Sequence, residues 1–154
     1  MYSITIEQHT QIDADAINLV IELCSQIPEF ERQYNTETLK QRLAERRCLL
    51  QLIRVEGEIA GFKLGYAIDE QKFYSWLGAV LPDYRQLGLA QQLLADQEQW
   101  ALAQGFSIME VNTYNQFTSM LKMLINHQYQ IASVTNDEKN ISQNKIRLQK
   151  LIAA

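Results

Sequence analysis

Residues 79–94 read Ala-Val-Leu-Pro-Asp-Tyr-Arg-Gln-Leu-Gly-Leu-Ala-Gln-Gln-Leu-Leu, and the order of residue types in this stretch decides the fold. An apolar run over 73–81 reads as a strand that Pro82 stops, because proline cannot donate to a strand ladder. From Gly88 to Gln104 the apolar positions Ala90, Leu93, Leu94 and Ala101 share one side of a helix, and Gly105 is its expected left-handed end. Between strand and helix the backbone turns sharply and leaves several N–H groups without partners. A helix start with free N–H groups and the positive end of a dipole is an anion site. Gly88 and Ala90 lack bulk, so a phosphate can approach the main chain closely, and Arg85 supplies a cation at the rim. The plainer reading of the same residues is a strand-to-helix loop in which the glycine only caps.

Outward from this stretch the chain alternates strands and helices. Residues 2–7 alternate as a strand, and Asp13 or Asp15 can cap a helix carrying Ile17, Val20, Ile21 and Cys24 inward. Pro28 ends that region, 27–34 form a loop, and Asn35 or Thr36 opens a short helix with Leu39 and Leu43 inside. Strands are expected at 48–54 and 58–68 around a Glu56-Gly57 hairpin turn. Beyond Gly105 follow a strand at 107–113, a helix from Asn115 to about His127, and strands near 129–134 and 144–151. Strands in series interrupted by helices imply an α+β or mixed α/β sheet. The 154 residues, 47% apolar, fit a single domain over 1–154 with one core.

Composition narrows the function classes. Eighteen acidic against fourteen basic residues give a net charge of -4, which provides no bulk attraction to a phosphate backbone and disfavours a nucleic-acid partner. No apolar stretch has the roughly 20 residues of a membrane span, and the first twenty residues lack the layout of a secretion signal. Cys24 and Cys48 lack metal-ligand spacing and read as small buried thiols in a reducing, cytoplasmic setting.

The run Val80-x-Pro82-x-Tyr84-Arg85-x-x-Gly88-x-Ala90-x-x-Leu93-Leu94 resembles the coenzyme A signature of the GCN5-related N-acetyltransferases (GNAT). The strand at 107–113 resembles the fifth strand of that family, Asn115 stands where an Asn usually precedes the next helix, and Gln128-Tyr129 stands where Gly-Phe commonly begins the sixth. The resemblance implies a twisted, mostly antiparallel sheet of six or seven strands with about four helices, splayed between strands four and five. It implies acetyl-CoA as cofactor and transfer of an acetyl group to a primary amine of a small molecule, peptide or protein. Because such proteins commonly dimerise, a homodimer is among the expected assemblies.

By the same resemblance the main-chain N–H groups of Arg85, Gln86, Leu87, Gly88, Leu89 and Ala90 hold the pyrophosphate. Val80 occupies the position where strand four bulges, with its N–H turned to the thioester carbonyl. Asn115 is either a contact to the coenzyme arm or a helix cap. Glu110 is the expected general base, its pKa raised by burial, or else a carboxylate on the strand surface. The tyrosine that many members use to protonate the leaving thiolate has no counterpart, since Leu124 or Lys122 falls there. Tyr114 and Tyr129 read as partly buried aromatics, and His127 as a partner of a helix end. Acceptor recognition is expected from Glu29, Phe30, Tyr74 and Trp76, with Pro28, Tyr34 and Tyr66 nearby. Glu29 and Glu31 either draw in a cationic amine or belong to a solvated acidic loop. The missing tyrosine admits one alternative, a non-catalytic acyl-CoA-binding regulatory module.

Overall fold

The computed structural model of the chain describes residues 2–30 and 34–153. In order it contains β1 (Ile4–His9), α1 (Ala14–Ser25), α2 (Thr36–Leu43), β2 (Cys48–Val55), β3 (Glu58–Ala67), β4 (Lys72–Val80), α3 (Leu89–Ala103), β5 (Ile108–Tyr114), α4 (Thr118–Asn126), β6 (Gln130–Thr135) and β7 (Lys145–Leu151). Local chemistry sets most of these boundaries. Asp13 caps α1 by accepting from the Ala16 amide at 2.9 Å, and Asn35 caps α2 by accepting from Thr38 at 2.8 Å. Glu56 and Gly57 both take positive φ (51° and 84°), the geometry of a tight turn that matches strand twist.

The seven strands form one sheet in the order β1-β2-β3-β4-β5-β7-β6. Every neighbouring pair is antiparallel except β4 and β5, which run parallel because α3 carries the chain across between them. This is the mixed, mostly antiparallel sheet with four helices that the sequence implied. Helices α1 and α2 cover one face, where Val20, Leu39, Phe62 and Leu64 are fully buried. Helices α3 and α4 cover the other, over Phe73, Leu94, Met109, Leu124 and Leu148. The central strands are mostly apolar in both directions because both faces are covered. Gln51 is one of the buried polar exceptions, and its amide ties β2 to α3 through the Leu93 carbonyl (3.0 Å) and Asp96 (2.8 Å).

Two local expectations change. Helix α4 begins at Thr118 rather than Asn115, because the amides of Asn115 and Gln116 donate to the Asn144 and Ser142 carbonyls at 3.1 and 2.9 Å. Asn115 therefore caps nothing. At the far end of α4, Gln128 stands where a glycine was expected and adopts φ +74°, so the turn into β6 forms at a backbone strain that glycine avoids. A left-handed non-glycine residue costs about 1–2 kcal/mol, partly offset by the greater chain entropy of glycine. Gln128→Gly is accordingly expected to raise stability by about 0.5 kcal/mol or more in urea unfolding, with an unchanged m-value.

Candidate functional site

The sheet opens at one place. β4 pairs with β5 only from Lys72↔Ile108 to Ser75↔Val111, although β4 continues to Val80 and β5 to Tyr114. The cause is a bulge in β4. Opposite β3, Leu64 pairs with Leu77 and Gly65 with Ser75, so Trp76 is an extra residue without a partner. The irregularity expected at Val80 thus lies at Trp76, and Val80 pairs regularly with Gly61. The bulge puts Trp76 and Leu77 against the α1/α2 core together. Further along, the Leu81 amide donates to the Ala60 carbonyl at 2.8 Å. Alternation along an antiparallel ladder then turns the amide of Val80 away from β3, towards the opening.

The cradle after β4 is built by main chain. Pro82–Tyr84 make one 3-10 turn, in which the Arg85 amide donates weakly to the Pro82 carbonyl at 3.4 Å. Gln86 and Gly88 then take left-handed φ values of 67° and 77°. Gln92 is the first residue of α3 to donate back, to the Gly88 carbonyl. Among the described residues no backbone carbonyl accepts from the amides of Gln86, Leu87, Gly88, Leu89 or Ala90. A side chain at Gly88 would meet nothing within 4 Å, so the space beside this residue is open. Leu89 is buried and Leu87 partly so, packed with Val80 onto Ile53 and Leu93, and this anchors the loop. Unlike α1 and α2, which carry Asp15 and Glu37 in their first turns, α3 has neither an acidic first turn nor a side-chain cap. Its positive end is left uncompensated. The run of amides without a carbonyl partner thus begins at Gln86, the Arg85 amide being engaged with Pro82.

The Arg85 side chain does something the sequence did not indicate. Its guanidinium grips the Glu29 carboxylate with two hydrogen bonds of 2.8 and 2.9 Å, and its Nε donates to the Val80 carbonyl at 3.2 Å. Glu29 is therefore neutralised by Arg85, which holds its carboxyl below the usual range. Glu29, expected either to attract a cationic amine or to lie in a solvated loop, ties the α1–α2 loop to the segment before α3. Phe30 packs edge-on to Tyr34, and Tyr34 edge-on to Trp76. Glu31 lies outside the described residues.

On the α1/α2 face of β5, Glu110 stands beside Tyr74 in the parallel register. Its Oε1 accepts from Arg147 (3.0 Å) and from Gln149 (2.8 Å), while Oε2 accepts nothing among the described residues and is not sealed from solvent. Tyr74 accepts from the Asn112 amide at 2.8 Å, and Trp76 lies under the Arg42 guanidinium at 4.8 Å. Asn115 is set apart, since its amide donates to the Ile141 carbonyl at 2.9 Å and braces the loop before β7. Leu124 is wholly buried in the core, and Tyr129 donates to Glu98 beneath α3. His127 bonds the Met123 carbonyl within its own helix. Two open clefts, one bounded by Thr10, Ile17, Lys40 and Cys48 and one by Gln130, Ile131, Gln149 and Leu151, share no residue with the opening.

The Arg85–Glu29 pair is exposed on both sides, so its stabilising effect is small and screened by salt. Glu29→Gln is expected to lower stability by no more than about 1 kcal/mol at neutral pH. The difference from the parent should vanish in acid, as pH falls through the lowered pKa of Glu29 and the parent protonates too. Urea unfolding at neutral and acidic pH measures both.

A family model described as the Acetyltransferase (GNAT) family matches residues 17–123. No curated protein matches the chain significantly. Among solved structures, the ribosomal-protein-S18-alanine N-acetyltransferase of Escherichia coli superposes with a TM-score of 0.83 at 14% identity, over 99% of this chain and 96% of that one. A GNAT family acetyltransferase from Elizabethkingia anophelis with acetyl-CoA bound gives 0.74 at 21% identity, over 96% and 97%. A putative acetyltransferase from Salmonella typhimurium with its cofactor acetyl-CoA gives 0.72 at 13% identity, over 97% and 94%. The structural likenesses establish the fold and the family match covers more than half of the sequence: the chain belongs to the acetyltransferase (GNAT) family.

Proposed function

We propose that residues 1–154 act as a single N-acetyltransferase domain that moves an acetyl group from acetyl-CoA to a primary amine of a small molecule, peptide or protein. The observation that carries this reading is the conjunction of an unpaired β4 edge with a run of free amides at the start of α3. The residues present fit the coenzyme, because the space over Gly88 is what a close-lying phosphate needs. When bound, acetyl-CoA supplies an activated acetyl thioester. The amides of Gln86 to Ala90 hold its phosphates, and the Val80 amide, aimed into the opening, donates to the oxygen on which charge develops. Glu110 takes the amine proton through its unpartnered Oε2. Asn115 holds the loop before β7 rather than the coenzyme.

Acceptor binding falls to the α1/α2 face, where Phe30, Tyr34, Trp76 and Tyr74 form an aromatic wall. The non-catalytic acyl-CoA-binding module is not favoured by family membership. No helix among the described residues is long and apolar enough to cross a membrane. Cys24 and Cys48 are free and buried, and burial raises both thiols, Cys24 to about 11. Inert reduced thiols support a cytoplasmic setting.

Calorimetry should detect acetyl-CoA binding by the parent chain, and the absence of any affinity would overturn this reading. Gly88→Asp, which tolerates the left-handed backbone but sets a carboxylate among the amides, should weaken binding at least about tenfold, or roughly 1.4 kcal/mol. Thiol release over a panel of polyamines, aminoglycosides, amino acids and peptides identifies the acceptor. With that acceptor Glu110→Gln should slow turnover by about 10²-fold or more.

A further inference from the structure

The apex of the opening is closed on the α1/α2 face by two side chains from different strands. Tyr74 precedes the last β4–β5 pair, and Asn112 is the first β5 residue beyond it. The Asn112 Nδ2 donates to the Tyr74 hydroxyl at 2.8 Å, which holds that oxygen across the point where the strands separate. Because the oxygen accepts from Asn112, its own proton remains to be given, and no group among the described residues takes it. The Asn112 Oδ1 is buried with no partner, so this corner is a polar site whose hydrogen bonds are incomplete within the chain. Glu110 lies opposite Tyr74 on the same face, its Oε1 held by Arg147 and Gln149.

The other polar groups facing Tyr74 belong to β3 and α2. The Tyr66 ring meets Tyr74 edge-on at 5.4 Å, and the Tyr66 hydroxyl accepts from Arg42 at 3.1 Å. Burial is the main influence on Tyr74 and, with Tyr66 and Glu110, pushes its pKa up to about 12 against the opposing effects of Asn112 and Arg42. The phenol therefore keeps its proton at neutral pH. Helix α4 supplies no equivalent, since Leu124 is wholly buried and the Tyr129 proton is committed to Glu98 beneath α3.

Building on the acetyl-transfer reading above, we propose that Tyr74 is the proton donor to the coenzyme A sulfur as it leaves. Glu110 takes a proton from the amine nitrogen as the carbon–nitrogen bond forms. Tyr74 gives its phenolic proton to the sulfur, which keeps the electron pair of the breaking carbon–sulfur bond. Solvent then restores the Tyr74 proton and removes the one on Glu110, so the sum is amine and thioester to amide and thiol. Asn112 is a positioning residue that presents the phenol across the gap.

Tyr74→Phe preserves the ring and its packing and removes only the hydroxyl. Calorimetry should show acetyl-CoA affinity unchanged, while turnover falls by about 10²-fold, and the deficit should shrink with thioesters of more acidic thiols. A readout independent of turnover is the titration of the thiol of bound coenzyme A, followed by thiolate absorbance. Its pKa should be lower on the parent than free in solution, and should rise in Tyr74→Phe as the hydrogen bond to the thiolate is lost. Asn112→Asp should slow turnover as well, because a carboxylate there captures the phenolic proton. Turnover of Tyr74→Phe within about threefold of the parent, with no change in the thiol titration, overturns the role of Tyr74 alone. A parent chain that binds no acetyl-CoA overturns the underlying reading, and the two failures are told apart by that first titration.

Discussion

The separation of β4 from β5 is the constraint on which the rest depends. Backbone amides and carbonyls are obligatory hydrogen-bonding groups, and a strand interior to a sheet normally satisfies them on both sides. Here the ladder stops at Ser75 and Val111 in the middle of a seven-stranded sheet, so β4 beyond that point has an unpaired edge inside the fold. One extra residue at Trp76 produces it by bending β4 away while its antiparallel ladder with β3 resumes at Leu77. The sheet thereby remains continuous on one side of β4 and interrupted on the other. An extended ligand with polar groups of its own is what such an edge accommodates.

Several buried polar atoms lie near the same place. Among the described residues, Ser75 Oγ, both amide atoms of Gln97 and Asn112 Oδ1 are enclosed without partners, as is Gln51 Oε1 farther off on β2. Each such group costs about 1–3 kcal/mol relative to a satisfied one. Gln97 lies over Gly65, opposite Ser75, where an added Cβ would come within 2.9 Å of its Nε2. Lys63 lies across Gly78, and desolvation brings its ammonium down to about 8, with Glu98 opposing. An apolar core would have been more stable at these positions.

What could be read from the sequence was what depends on neighbours along the chain. Asp13 and Asn35 cap their helices, Glu56-Gly57 turns the hairpin, and Gly88 and Gly105 take left-handed backbone at the two ends of α3, because each follows from intrinsic backbone and side-chain preferences. The bulge was misplaced by four residues because it is a property of register between β3 and β4, and hydrophobicity is equally consistent with either location. Asn115 does not serve as the helix cap for a similar reason, its partner being a carbonyl 26 positions away. The same limit hid the Arg85–Glu29 pair and the Tyr74–Asn112 hydrogen bond, which join residues 56 and 38 apart. Only Gln128 is a local exception, a residue that tolerates strain where pattern asked for glycine.

The two faces of the sheet divide the chemistry. The free amides and α3 lie on one side, while Tyr74, Trp76 and Glu110 share the α1/α2 side. Any group passing from the first to the second must do so where β4 and β5 no longer pair, since elsewhere the ladder closes the sheet. The bulge thus has two consequences from one inserted residue: it opens the passage, and it sets Trp76 beside Leu77 on the side towards which the passage leads. Arg85 then ties the two sides together, holding Val80 on β4 with its Nε and Glu29 of the α1–α2 loop with its outer nitrogens.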